Sequence, residues 1–184
     1  MELRREKDGK SIQGYAVVGA ETDPEIVKAQ TAQATYKGWA RADLALAADT
    51  DLRVGVRTNG GLTMNADFVA REVSGTLENL QVRSRDHSDT WTPWTDTGGT
   101  VLMGTSSISS NGFSGGTLSA TDLELPDPTT PGDVLAFDPS GSTYSGRFYG
   151  PAAEQVGGVF DIKGNVGAAG AVVGAGYFAG DKQP

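Results

Sequence analysis

A chain of 184 residues with 26 glycines and no cysteine suffices for one domain with a small appendage, and it excludes disulfides and thiolate metal sites. Its formal net charge of −8 opposes binding to nucleic-acid phosphates or to an anionic membrane surface, and suits an exposed protein or a partner with a basic face. No apolar run approaches the length of a membrane helix, so no transmembrane segment is expected, and Met1 is followed by the charged ELRREKDGK rather than by a signal peptide.

Residues 1–31 are highly charged and are expected to form an appendage that packs on a main body of residues 32–184. Within it, Asp23 is placed to cap a short helix, with Pro24 at its first position and Glu25 in its first turn. From residue 32 the period is two. Ala34, Tyr36, Gly38, Ala40, Ala42 and Leu44 share one face of a strand, and Lys37, Trp39, Arg41 and Asp43 the other. Trp39, on that polar face, is expected to be covered by residues 1–31. Leu52 to Val56 alternates next, and Asn59-Gly60 predicts a hairpin turn into a strand over Leu62–Ala70. Glu72 to Leu80 returns, with Val73, Gly75 and Leu77 inside.

Residues 84–99, SRDHSDTWTPWTDTGG, break the alternation and read as a loop. Strands resume at Val101–Ser109 and Phe113–Ser119, joined by a turn at Asn111-Gly112. Residues 120–142 hold four prolines and several aspartates and predict a long loop. Asp127, Asp133 and Asp138 lack the order of a calcium-binding loop, so no metal site is expected there. Ser145–Tyr149, Val156–Lys163 and Ala171–Gly180 complete the strands.

Consecutive strands joined by short turns and apolar on one face predict an all-β fold. Closing the sheet into an antiparallel up-and-down barrel of about eight strands removes both open edges and covers the apolar face. The inner positions are small residues with scattered large ones: Tyr36, Met64, Phe68, Leu77, Phe160 and Phe178. They predict a packed interior rather than a roomy cavity. Lys37, Arg41, Asp67, Arg71, Glu72 and Glu78 on the outer faces exclude a barrel that faces lipid.

One stretch is more specific. GRFYGPAAEQVGGVF (Gly146–Phe160) is a strand, a Gly-Pro turn and a second strand with paired glycines, which let another backbone or ring approach closely. With ATYKGWA, ADFVAREVSGTLENL, SSISSNGFSGG and AGYFAGDK, it resembles the C-terminal β-barrel domain of transferrin-binding protein B and its relatives over roughly residues 34–182. That family of Gram-negative surface lipoproteins includes haemophilins and relatives of factor H-binding protein. The resemblance implies a handle-like N-terminal appendage and a leader with a lipidated cysteine upstream. It also implies an outer-membrane or secreted location, export by an outer-membrane translocator, and transfer of ligand to a TonB-dependent receptor. Residues 1–31 are then a remnant of the handle, too small for the large handle domains of transferrin binders.

The expected function is non-enzymatic ligand capture in iron or haem acquisition. A structural or protein-interaction module at the cell surface, with no iron role, is the other reading. Candidate ligand-binding residues cluster in and beside the 84–99 loop. His87, the one histidine, is a candidate axial ligand for a transported haem, and Arg83 and Arg85 are candidate partners for its propionates. Trp91 and Trp94 are candidate anchors for a protein partner, or covers for a barrel end. No catalytic residue and no resident cofactor is expected: Asp86, His87 and Ser88 are sequence neighbours on an extended loop, whose side chains point apart.

Overall fold

The computed structural model describes residues 2–7, 10–46, 53–57, 61–83, 92–127, 133–167 and 170–184. The chain begins with a hairpin of β1 (Glu2–Lys7) and β2 (Lys10–Tyr15), followed by the short helix α1 (Pro24–Ala29). Asp23 caps α1 by accepting a hydrogen bond from the Glu25 amide at 2.8 Å, and Pro24 occupies its first turn. The helix turns Val27 into the core, where it is fully buried.

Period-two alternation then governs the chain. β3 (Gln33–Leu46) buries Ala34, Tyr36, Ala40, Ala42 and Leu44. β4 (Arg53–Arg57), β5 (Leu62–Asp67), β6 (Glu72–Leu77), β7 (Gln81–Arg83) and β8 (Thr95–Asp96) follow. β9 (Thr100–Ser109), β10 (Gly112–Thr121), β11 (Glu124–Pro126) and β12 (Val134–Asp138) come next. β13 (Thr143–Tyr149), β14 (Gln155–Val166) and β15 (Gly170–Lys182) end the series.

Eight of these strands close an antiparallel ring in the order β3-β5-β6-β9-β10-β13-β14-β15. The closing ladder joins β15 to β3 from Val172↔Leu46 to Lys182↔Tyr36. The ring is the expected up-and-down barrel, but its two ends differ. At one end β5–β6, β9–β10 and β13–β14 are linked by short turns. At the other, the chain makes three excursions, which carry β4, then β7 and β8, then β11 and β12. β4 pairs with the far half of β3 and with β7, and β7 pairs with β8. β11 and β12 form a hairpin that reaches β14 through Phe137↔Val166 and Asp138↔Asn165.

Several expectations are corrected. β4 and β5 are not a hairpin: they pair with successive stretches of β3, Arg41–Ala45 and Gln33–Gly38. Asn59 and Gly60 themselves lie outside the described residues. β5 ends at Asp67, because its carboxylate accepts from the Val69 and Ala70 amides at 2.9 and 2.8 Å and folds 68–71 into a turn. The next tight turn is centred on Ser110 and Asn111, with Ser110 at φ 57°, and Gly112 already pairs with Ser109. The 120–142 segment is not a plain loop, since it holds β11 and β12. Trp39 is not covered: it is 43% exposed, although Tyr15 stacks on Tyr177 and Tyr177 meets the Trp39 ring edge-on at 5.1 Å.

Aromatic rings fill the short-turn half. Phe148 lies 5.9 Å from Tyr36, 5.2 Å from Phe68 and 5.8 Å from Phe113. Phe178 bridges Phe113 to Phe160, at 6.4 and 5.1 Å. The two most deeply buried tyrosines, Tyr36 and Tyr144, find acceptors, as buried hydroxyls must. Tyr36 donates to the Ala153 carbonyl at 2.7 Å, and Tyr144 donates to the Gly104 carbonyl, with the Val73 carbonyl 3.4 Å away. Burial, followed by the charge of Glu154, raises the pKa of Tyr36, and burial pushes that of Tyr144 up to about 12. Both therefore remain neutral donors at ordinary pH.

The Gly146–Phe160 motif accounts for the close approach. A β-carbon on Gly158 would lie 2.1 Å from the Ser145 carbonyl oxygen and 2.4 Å from the Phe178 ring. The ring seated there is Phe178 of β15. Tyr149 instead lies beside Gly157, with Val17. The segment before α1 is bonded to this motif: the Thr22 amide donates to Phe148 and the Gly150 amide to Ala20. Arg147 Nη1 donates to Glu21 and Asn111, both at 3.0 Å, and Asn111 Nδ2 donates to Glu21 and to the Thr22 carbonyl.

Candidate functional site

The candidate residues that can be described lie at the excursion end. Arg83 is the last residue of β7, and Trp94 immediately precedes β8. The two strands are held by the pairs Gln81↔Asp96 and Val82↔Thr95. Gln81 Nε2 donates to Asp96 at 2.8 Å, and the Thr97 amide donates to the Leu80 carbonyl at 2.9 Å. This ladder fixes both feet of the intervening loop. It also brings the Arg83 guanidinium carbon to 4.5 Å from the centroid of the Trp94 ring. A cation over an indole face contributes about 0.5–1 kcal/mol at an exposed site. The pair thus holds a guanidinium against one face of a half-buried indole. Arg85, His87 and Trp91 lie outside the described residues.

Register sets the height of this loop on the barrel. Arg83 pairs with Gly55 of β4, and Gly55 pairs with Asp43 of β3. The loop therefore leaves the sheet at the level of Asp43 and Leu44, beyond the aromatic core. β11 of the third excursion lies against β7 of the second, so these two excursions meet over this end of the ring.

Sequence reasoning missed a second feature, on the outer face. Trp39, Arg41 and Asp43 project from alternate positions of β3, opposite Tyr177 of β15. The Tyr15 hydroxyl donates to the Asp43 carboxylate, and Arg41 Nη2 lies 3.9 Å from it. The result is a partly exposed aromatic cluster with charges at its rim. The outward alternation of Trp39, Arg41 and Asp43 was the visible signal, but the participation of Tyr177 required the β15–β3 register. Among the described residues, no three His, Cys, Asp or Glu side chains gather as a metal-ligand set, and no helix is long and apolar enough to cross a membrane.

These features define a class: a closed antiparallel barrel, packed by aromatics at one end and carrying short flaps and a stapled loop at the other. The chain belongs to the family of the C-lobe and N-lobe β-barrels of transferrin-binding protein B, whose sequence profile matches residues 28–177. That family takes its name from a binding protein. Two solved structures of transferrin-binding protein B share the fold. The isotype 1 transferrin-binding protein B of serogroup B Neisseria meningitidis is 23% identical with a TM-score of 0.53, covering 100% of this chain and 31% of its own. A mutant of the Haemophilus parasuis Hp5 protein is 19% identical with a TM-score of 0.52, covering 95% of this chain and 30% of its own. HpuA of Kingella denitrificans, solved in complex with human haemoglobin, is more distant: 15% identity and a TM-score of 0.48, over 90% of this chain and 49% of its own. The chain thus spans about a third of the length of the two transferrin-binding protein B structures. No curated protein sequence matches it.

Proposed function

We propose that the protein is a non-enzymatic binding module that captures an iron source, protein or haem, through the loop between β7 and β8. Its place is the outer surface of a Gram-negative cell, or the medium around it. The observation that carries this reading is the Arg83–Trp94 pair, which seats a guanidinium on an indole face at the foot of the loop that holds His87. A flat ring with carboxylate substituents fits that chemistry: the indole face stacks and the guanidinium pairs with the acid. Family membership supports ligand capture as the general task. Export by an outer-membrane translocator and transfer to a TonB-dependent receptor are parts of the same proposal.

The test is a haem titration followed by absorbance on the wild type, His87→Ala and Trp94→Ala. A saturable Soret shift, lost in His87→Ala and weakened in Trp94→Ala, is the expected result. No shift in the wild type removes haem as the ligand. Immobilised transferrin and haemoglobin then test capture of an iron-carrying protein, and no retention of either overturns the iron reading. The exposed cluster of Trp39 and Tyr177 favours one other reading, a surface module that docks a protein partner with no iron role.

A further inference from the structure

The flap end contains an apolar cavity of about 60 Å³. Its wall is aliphatic: Ala40, Ala42 and Leu44 of β3, Leu77, Val101, Leu118 and Ile162 of other ring strands, and Leu80 of the β6–β7 link. Leu123, Leu125 and Phe137 of the β11–β12 excursion roof it, and Phe160 forms the floor against the aromatic core. Arg41 also borders it, but Arg41 alternates with the inward positions of β3 and its guanidinium reaches toward Asp43 on the outer face. No polar side chain enters, so a water inside would lack the two to four partners it needs, and the space is dry.

We propose that this cavity is a binding site for the methyl-terminal end of an aliphatic chain. Three observations lead there. The volume is well under the roughly 150 Å³ that takes a benzene ring, so a thin chain fits and a ring does not. The wall offers no group for a charge or a hydroxyl, so the buried end must be hydrocarbon. The roof is weakly tied: β12 reaches β14 through two residue pairs, and β11 pairs with β12 through three. Elements held by so few pairs open locally well before the barrel unfolds, which supplies an entry path. The polar end of the ligand stays outside, between the β7–β8 and β11–β12 flaps. This site is separate from the proposed haem-facing loop surface and does not depend on it.

The test is a titration of protein carrying labelled Ile, Leu and Val methyl groups with 1-octanol, followed by NMR. Expected are saturable shifts at Leu44, Leu80, Leu123, Leu125 and Ile162, with Val73 and Val156 of the short-turn half unmoved. Octane-1,8-diol, which would bury a hydroxyl, should bind roughly tenfold more weakly or worse. Ala42→Leu, which fills the cavity from β3, should abolish the octanol shifts. Should Ala42→Leu fail to fold, the wild-type shift map and the diol comparison decide. Absence of saturable shifts at the lining methyls, or equal binding of the diol, overturns the proposal.

Discussion

The two ends of this barrel are built by different rules. The short-turn end is packed by interlocking rings, with each buried hydroxyl matched to a carbonyl and each close approach made by a glycine. The flap end is aliphatic, contains empty space, and is closed by strands of two to five residues. An interior at crystal-like density tolerates little change, whereas short flaps over a small cavity can move or be rebuilt without opening the ring. The contrast teaches where the scaffold stops and the adaptable part begins. The Gly146–Phe160 motif, which carries the family resemblance, sits at the rigid end, and the candidate ligand residues sit at the other.

The largest expected effect tests the rigid end. Phe178→Ala removes a fully buried ring that touches Phe113, Tyr144 and Phe160, and should lower the urea-unfolding free energy by about 3–5 kcal/mol. Leu125→Ala removes a side chain just as well buried, but in a short flap beside a cavity. Its cost should be near the low end for such a truncation, about 2 kcal/mol. Hydrogen exchange should show the amides of β11 and β12 exchanging faster than those of β13 and β14. Equal protection at the two ends would erase the distinction.

Smaller effects sharpen the picture of the short-turn end. Tyr36→Phe leaves the buried Ala153 carbonyl without its donor and should cost about 1–2 kcal/mol in the same unfolding measurement. Asp67→Asn should have the smallest effect, and one that depends on pH. The Ala70 amide, then Gln33 and the Val69 amide, hold the Asp67 carboxyl below its usual range. A depressed folded-state pKa stabilises above the unfolded value, about 3.9, and that stabilisation is lost as pH falls through the folded value. The difference between wild type and Asp67→Asn should therefore be present at pH 7 and vanish at about pH 2.

The ring was largely legible because half-buried strands write their burial as period two. β3, β6, β9, β10 and β13 to β15 follow from that alternation, and the helix cap follows from Asp23-Pro24. The pairing partner of β4 was not legible, because alternation reports a face and not a neighbour. β11 and β12 were hidden by prolines and aspartates. Yet Leu123 and Leu125, then Leu135 and Phe137, keep the period, and Pro126 is tolerated because β11 pairs on one side only. Of the candidate site, the Arg83–Trp94 contact lay beyond sequence reasoning. The two residues are eleven positions apart in the sequence, and only the β7–β8 ladder brings them together.

The β15–β3 ladder has a consequence for biogenesis. Strand β3, near the start of the barrel, waits for a partner that is synthesised more than a hundred residues later. Until β15 has emerged, β3 and β14 each expose a long unpaired edge, and the cylinder cannot exist in part. Closing so wide a loop makes folding slow and leaves little stable structure before the whole chain is available. The ring therefore stays open for as long as its last strand is missing. A stop codon or proteolytic cut ahead of Gly170 would give a poorly folded, aggregation-prone chain in place of a shortened barrel.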